Sequence, residues 1–190
     1  MTGLSIDPAT HGTACTLWRE TRLVAAGYAP NKCKDDNIVR RCAASAHAAF
    51  DWLIREGGEA AAILDVLIVE LPQIYMRGAN KTKGDPNQNV LPLAMVDAAL
   101  AALFSTTAVF SYQPHSWKGT TQKPEKAYDS QGREIPYIIK ERVKDRLTPE
   151  ELAAVNWTKS VQHSWDVADS IGVGMHHFGR FERVRVFARE

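Results

Sequence analysis

The stretch Ile63-Leu-Asp-Val-Leu-Ile-Val69 ends in Glu70, and Pro72 follows closely. Such a run, bounded by a turn signal, suits a strand buried on both faces. The chain must therefore supply packing layers on the two sides of a sheet. The opening run Leu4-Ser-Ile6 leads in the same way into Asp7, and Pro8 cannot continue a central strand. Two acids thus sit at the ends of two expected strands. Two more, Asp166 and Asp169, stand three residues apart before the apolar positions Ile171, Val173 and Met175. On a helix that spacing puts both carboxylates on one face, about 5–6 Å apart at Cβ. Acids on a packed helix face are costly unless something positive sits between them, and carboxylate oxygens are the ligands that Mg²⁺ and Mn²⁺ prefer. The plainer reading is an exposed first turn, where the helix dipole favours Asp.

Local patterning orders the remaining elements. Strands are expected at about Leu4–Asp7, Thr13–Arg19 and Arg22–Tyr28, the last two joined by the short turn Glu20-Thr21. Asp35 or Asp36 reads as the N-cap of a helix whose apolar positions, from Ile38 to Ile54, repeat at helical spacing until Gly57-Gly58. A fourth strand covers about Leu64–Glu70, a polar loop Arg77–Asn89, a helix Val90–Phe104, and a fifth strand Ala108–Tyr112. Ile135–Leu147 reads as a helix with Lys140, Arg142 and Lys144 outside and Ile139, Val143 and Leu147 inside. Thr148-Pro149-Glu150-Glu151 reads as an N-cap, a Pro at the first helical position and acids in the first turn. Three strands, then helix–strand–helix–strand–helix, imply one α/β domain over residues 1–190, with a five-stranded mixed sheet flanked by helices on both faces. Residues 115–160 form an extended loop and helical segment, and 180–190 a C-terminal extension, a short amphipathic strand or helix.

In order and context the acids resemble those of the RuvC-type Holliday junction resolvases, within the ribonuclease H-like superfamily. The residues that carry the likeness are Gly3-Leu-Ser-Ile-Asp7-Pro8, Ile68-Val-Glu70-Leu-Pro-Gln-Ile-Tyr75, and Asp166-Val-Ala-Asp169-Ser-Ile-Gly-Val-Gly. The resemblance implies a metal-dependent, structure-selective DNA endonuclease working through two Mg²⁺ ions per site, with Mn²⁺ able to substitute. Asp7 would bridge both ions, Glu70 bind one, Asp169 the other, and Asp166 complete the site. It further implies a homodimer acting on branched, four-way DNA. The helix Val90–Phe104, rich in Ala and Leu, is the candidate interface, and burial inside the monomer would give the same composition. The segment near 128–160 is longer than in the family, which implies a divergent member such as one encoded by a bacteriophage.

Composition sets bounds on this reading. The formal net charge of +1 does not announce a nucleic-acid binder. Between Leu71 and Lys144, however, ten Lys or Arg stand against six Asp or Glu, a local balance of +4. An acidic centre ringed by basic loops can attract phosphate while looking neutral in total. The candidate DNA contacts are Tyr75, Arg77, Lys81, Lys83, Lys118, Lys123 and Lys126, against which stands the reading of the lysines as solvated loop residues. Trp117 is read as core, with DNA contact as the alternative. His163, three residues before Asp166, could position water or act as an acid–base group, or simply be a solvated side chain at a helix start. Lys118 is a second candidate accessory group. His176-His177 reads as a surface pair whose imidazoles complement a helix C-terminus. The three cysteines form no CxxC pair, and with no apolar run long enough for a membrane span the expected setting is the cytoplasm, the host's for a phage protein. Two alternatives stay open: another ribonuclease H-like nuclease acting on RNA–DNA hybrids, flaps or forks, and a non-catalytic nucleic-acid-binding module.

Overall fold

The computed structural model describes residues 1–72, 90–104, 108–119, 121 and 123–181. Five strands, β1 (Thr2–Asp7), β2 (Gly12–Arg19), β3 (Arg22–Pro30), β4 (Val66–Glu70) and β5 (Ala108–Tyr112), form one sheet in the order β3-β2-β1-β4-β5. β1, β2 and β3 are antiparallel neighbours, whereas β4 and β5 run parallel to β1. Six α-helices accompany them among the described residues: α1 (Ile38–Gly57), α2 (Val90–Leu103), α3 (Pro114–Trp117), α4 (Ile138–Lys144), α5 (Pro149–Ala153) and α6 (Val161–His177). This is the ribonuclease H-like mixed sheet expected from the sequence.

Strand alternation explains why both faces are covered, because successive side chains point to opposite sides. Leu4, Ile6, Leu67 and Val69 join a core with α1 and α2. Val66, Ile68, Ala14 and Trp18 join a second core with α4 and α6. Ser5 interrupts the apolar pattern of β1 for a reason: its hydroxyl donates to the Ser170 carbonyl of α6 at 2.7 Å and accepts from Trp18 Nε1 at 2.8 Å. Thr16 and Ser170 share a further hydroxyl contact at 2.8 Å. Gly174 lets the helix approach this closely, since a Cβ there would stand 2.5 Å from Ser5 Oγ. A β-carbon on Gly172 would similarly strike the Trp117 ring. The register of α6 against the sheet is therefore fixed, and Asp169 with it.

Several local expectations shift. Asn37, not Asp35 or Asp36, caps α1 through Val39 and Arg40 N–H, while Asp35 Oδ1 accepts from Asn37 N–H. α4 is shorter than expected, and Lys140 lies inside rather than outside: it is buried, paired to Glu134 at 2.8 Å and set over the Trp157 ring. His176 and His177 are half-buried against Tyr112, whose hydroxyl meets His177 Nδ1 at 3.0 Å. Burial and then the neighbouring His176 lower the His177 pKa, opposite to the charged helix-end role. Trp117 is fully buried. Residues 182–190, most of the expected C-terminal extension, and Tyr75, Arg77, Lys81 and Lys83 lie outside the described residues.

The segment after β5 is tied back to the sheet. Val155 bridges in parallel to Ala26 on β3, with Ala26 N–H donating to Ala154 and Asn156 N–H to Ala26. The expected cap forms in full, Thr148 and Glu151 exchanging hydrogen bonds. Glu151 is buried and accepts from Leu23 N–H and, at 2.7 Å on each oxygen, from the Arg180 guanidinium. Burial works against its charge, but Arg180 and the Leu23 and Thr148 N–H groups outweigh it and hold the carboxyl down at about 2. Its stabilising contribution is therefore complete above the ordinary value of 4.5 and is lost as pH falls toward 2. Glu151→Ala should cost about 3 kcal/mol in a urea unfolding experiment at neutral pH, because Arg180 is left without its partner. The gap between variant and wild type should narrow between pH 4.5 and 2; a gap independent of pH in that window would refute the assignment.

Candidate metal centre

Ile6 pairs with Val69 across the parallel strands β1 and β4, so the next residues, Asp7 and Glu70, leave the sheet side by side. α6 lies across that end and brings Asp169 down between them. One ligand atom from each of Asp7, Glu70 and Asp169 lies within 4.8 Å of the others. Asp7 and Asp169, 162 positions apart in the chain, thus share one pocket. Asp166, one turn earlier on α6, stands at the rim and joins them through Lys123.

Two ammonium groups sit among these four carboxylates. Lys118 Nζ lies 2.7 Å from Glu70 Oε1 and 2.9 Å from Asp169 Oδ2, with its own charge also over the Trp117 ring at 5.0 Å. Lys123 Nζ contacts Asp7, Asp166 and Asp169 at 2.9, 2.8 and 3.0 Å. Lys118 is buried and Lys123 half-buried, so neither is an ordinary solvated loop lysine. Burial disfavours both charges, yet Asp169 and the other acids overcome it and raise both lysine pKa values. Lys126 stays exposed on the surface.

With all six groups ionised, four carboxylates against two ammoniums leave a net charge of −2 in a buried space. The imbalance falls unevenly. Asp169 is fully buried, but Lys118, Lys123 and the Tyr137 hydroxyl outweigh that burial and hold its carboxyl below the usual range. Glu70 is pushed up to about 8 by burial and by Asp169 and Asp7, beyond what Lys118 offsets. Asp7 is pushed up to about 6 by burial, with Asp166 and Asp169 adding to it against Lys123. Glu70 Oε2 is buried with no hydrogen-bond partner among the described residues. A set of hard oxygens with one orphaned atom, excess negative charge and cations already drawn into it fits a divalent metal.

Three features escaped the sequence reading. Tyr137, just before α4, donates from its hydroxyl to Asp169 Oδ1 at 2.6 Å and packs against Trp165. No local pattern marks it, because its partner is on another element. Asp97 on α2 has both carboxylate oxygens buried without a partner among the described residues, and burial, then Asp7, pushes it up to about 7. A lone acid in an otherwise apolar helix was the available signal. His163 is half-buried with no bond to the acids among the described residues, and its ring stacks on Tyr28 at 4.0 Å and 7°.

No family model matches the chain, and no curated protein does. Solved structures do. RuvC of Thermus thermophilus matches with a TM-score of 0.51 at 13% identity, over 96% of this chain and 99% of that one. The yeast mitochondrial Holliday junction resolvase matches with a TM-score of 0.54 at 15% identity, over 94% of this chain and 78% of that one. At such identities the likeness establishes the ribonuclease H-like fold.

The charge imbalance has a measurable consequence. Protons and a divalent cation compete for Asp7 and Glu70, so stabilisation by Mg²⁺ or Mn²⁺ should grow with pH through the range of about 6 to about 8. The sign follows from raised carboxylates: their ionisation costs folding stability as pH rises, and the cation removes that cost. Melting temperatures with and without 10 mM ion should coincide near pH 5 and separate near pH 8.5. A pH-independent shift would argue against binding at these carboxylates.

Proposed function

We propose that this protein is a metal-dependent, structure-selective DNA endonuclease that resolves four-way junctions by paired nicks. The observation that carries the reading is the convergence of Asp7, Glu70 and Asp169 within 4.8 Å at one end of a ribonuclease H-like sheet. Asp7, Glu70 and Asp169 would hold two Mg²⁺ ions, or Mn²⁺ in their place, and Asp166 would complete the set. Such ions supply an activated water and relieve charge on the leaving 3′-oxygen of an in-line displacement.

The chain's own groups do the rest. Tyr137 orients the Asp169 carboxylate by holding Oδ1, which directs Oδ2 toward the shared pocket. Lys118 and Lys123 are the cations nearest the reacting phosphate and counter its negative charge. Trp117, fully buried, backs the site by lying under Lys118, with its ring 5.0 Å from the ammonium. His163 positions the first turn of α6 through its stack on Tyr28. Tyr75, Arg77, Lys81, Lys83 and Lys126 are the proposed DNA contacts beyond the site.

A four-way junction has two-fold symmetry, and a two-fold dimer would match it. α2 is the proposed interface. Only Val96 and Leu100 of this apolar helix are buried, while Leu91 is 70% and Leu103 37% exposed. Among the described residues no helix is long and apolar enough to cross a membrane.

The test is a substrate panel of four-way junction, duplex, flap and RNA–DNA hybrid, each with Mg²⁺ or EDTA. Junction cutting only with Mg²⁺ is expected, and preference for the flap or hybrid would redirect the reading to another nuclease of this fold. Asp7→Asn should abolish cutting yet keep junction binding, since affinity comes mainly from basic contacts. Turnover at the wild-type rate by that variant would eliminate the metal mechanism. Tyr137→Phe should weaken Mn²⁺ binding by about tenfold in calorimetry while leaving junction affinity in EDTA unchanged, as for groups that orient metal ligands.

A further inference from the structure

Residues 124–136 leave the acidic cluster and return to it. Lys123, before them, reaches Asp7, Asp166 and Asp169; Tyr137, after them, holds Asp169. Between these two anchors the chain folds as a β-hairpin. Tyr128 bridges Glu134 in antiparallel fashion, Ile135 N–H donates to Ala127 at 2.9 Å, and Asp129 N–H to Arg133 at 2.9 Å. The Asp129 carboxylate closes the tip by accepting from Gln131 N–H, Arg133 N–H and the Arg133 guanidinium, all within 3.0 Å. Gly132 takes the left-handed conformation the turn requires, with φ of 75°.

The hairpin is braced as well as closed. Ala127 packs against the core beneath α6, and Glu134 is held by the buried Lys140. Its pairs Asp129–Arg133 and Glu134–Lys140 satisfy each other. Tyr128 remains 50% exposed, and no ring or cation contact engages it among the described residues. One exposed aromatic is ordinary, so exposure alone decides nothing. Placement does. Tyr128 faces Glu134 across the bridge, about 5 Å away at Cα, and Glu134 is three residues, at most about 11 Å, from Tyr137, so the Tyr128 and Tyr137 backbones stand within about 16 Å. That reach is at most about five stacked nucleotides at about 3.4 Å each.

We propose that the hairpin Ala127–Ile135 is a substrate-reading arm, and that Tyr128 stacks on a base unstacked at a DNA branch point within a few nucleotides of the cut phosphate. The proposal rests on the nuclease reading above and deepens it by naming what the site's rim recognises. Every base offers a π-face, but a base within continuous duplex has both faces covered; stacking on Tyr128 therefore selects DNA whose stack is already opened. The paired charges of the arm keep it from repelling the backbone, and Lys126 adds attraction at its base.

The experiment compares wild type, Tyr128→Ala and Tyr128→Phe in the full chain, in EDTA at fixed salt, by fluorescence anisotropy on a four-way junction and on matched duplex. Tyr128→Ala should lose about 5- to 100-fold in junction affinity, in line with the loss of one base stack. Its duplex affinity should stay within about twofold of wild type, and Tyr128→Phe should bind both as wild type does. In parallel, a junction carrying 5-iodouracil at its centre should crosslink the wild-type protein within residues 126–134, which needs no variant to fold. Junction binding by Tyr128→Ala equal to wild type, or a crosslink confined to other residues, overturns the arm and leaves the nuclease reading standing. Wild-type protein with no preference for the junction over duplex overturns both.

Discussion

A carboxylate with no exposed surface, Asp169, is the constraint on which the rest depends. A lone charge buried there would cost several kcal/mol, so the fold must carry compensation to it. Compensation arrives from Lys118, Lys123 and the Tyr137 hydroxyl, all at 3.0 Å or less. Lys118 and Lys123 come from the stretch that follows α3 and Tyr137 from the start of α4, so two separate stretches after β5 must be brought to one carboxylate. α6 fixes the carboxylate by lying against β1 and β2, through the Ser5, Thr16 and Ser170 contacts and the bare backbone of Gly174. A core serine and a helix glycine, poor choices for packing alone, are explained by the approach they permit.

The same arrangement leaves the centre overcharged. Lys118 and Lys123 answer two of the four acids, and the residue of negative charge settles on Glu70 and Asp7 as raised carboxyls. A chain selected for stability alone would replace Glu70 by an apolar residue at the end of β4, where all five positions are buried. Keeping an acid there is a stability cost that Lys118 only partly offsets, and it leaves a carboxylate available to a further cation. Perturbed carboxylates clustered in one place are a physical signature of a functional site.

Elements whose signals are local were legible in the sequence. The five strands, α1, α2 and the Thr148–Glu151 cap each depend on periodicity or on residues a few positions apart, and they appear close to where the pattern places them. The acids were legible because strand ends and a helix face put them in readable contexts. Contacts between distant elements were not. Tyr137 looks like one more apolar position before α4, and nothing within its own segment announces Asp169. Lys140 was expected outside by helical phase, but Glu134 and Trp157 close over it from two other segments. His176 and His177 looked like dipole partners at a helix end, and β5 instead packs against them through Tyr112 and Phe110. In each case tertiary packing overrode a sound local rule.

The segment between β5 and α6 gains its meaning from where its ends are tied. Val155 extends the sheet beyond β3, and Glu151 with Arg180 locks α5 to the start of that strand. α4 packs its Ile139 and Val143 into the core beneath α6. Those contacts make a frame that carries Tyr137 into the acidic centre and, through Lys140 and Glu134, braces the Ala127–Ile135 hairpin. The distance from the Glu151–Arg180 pair to the carboxylates is thus bridged by packed elements, not by a free loop. The added length near 128–160, whose role the sequence left open, is better understood as a wall of the site that the sheet alone does not provide.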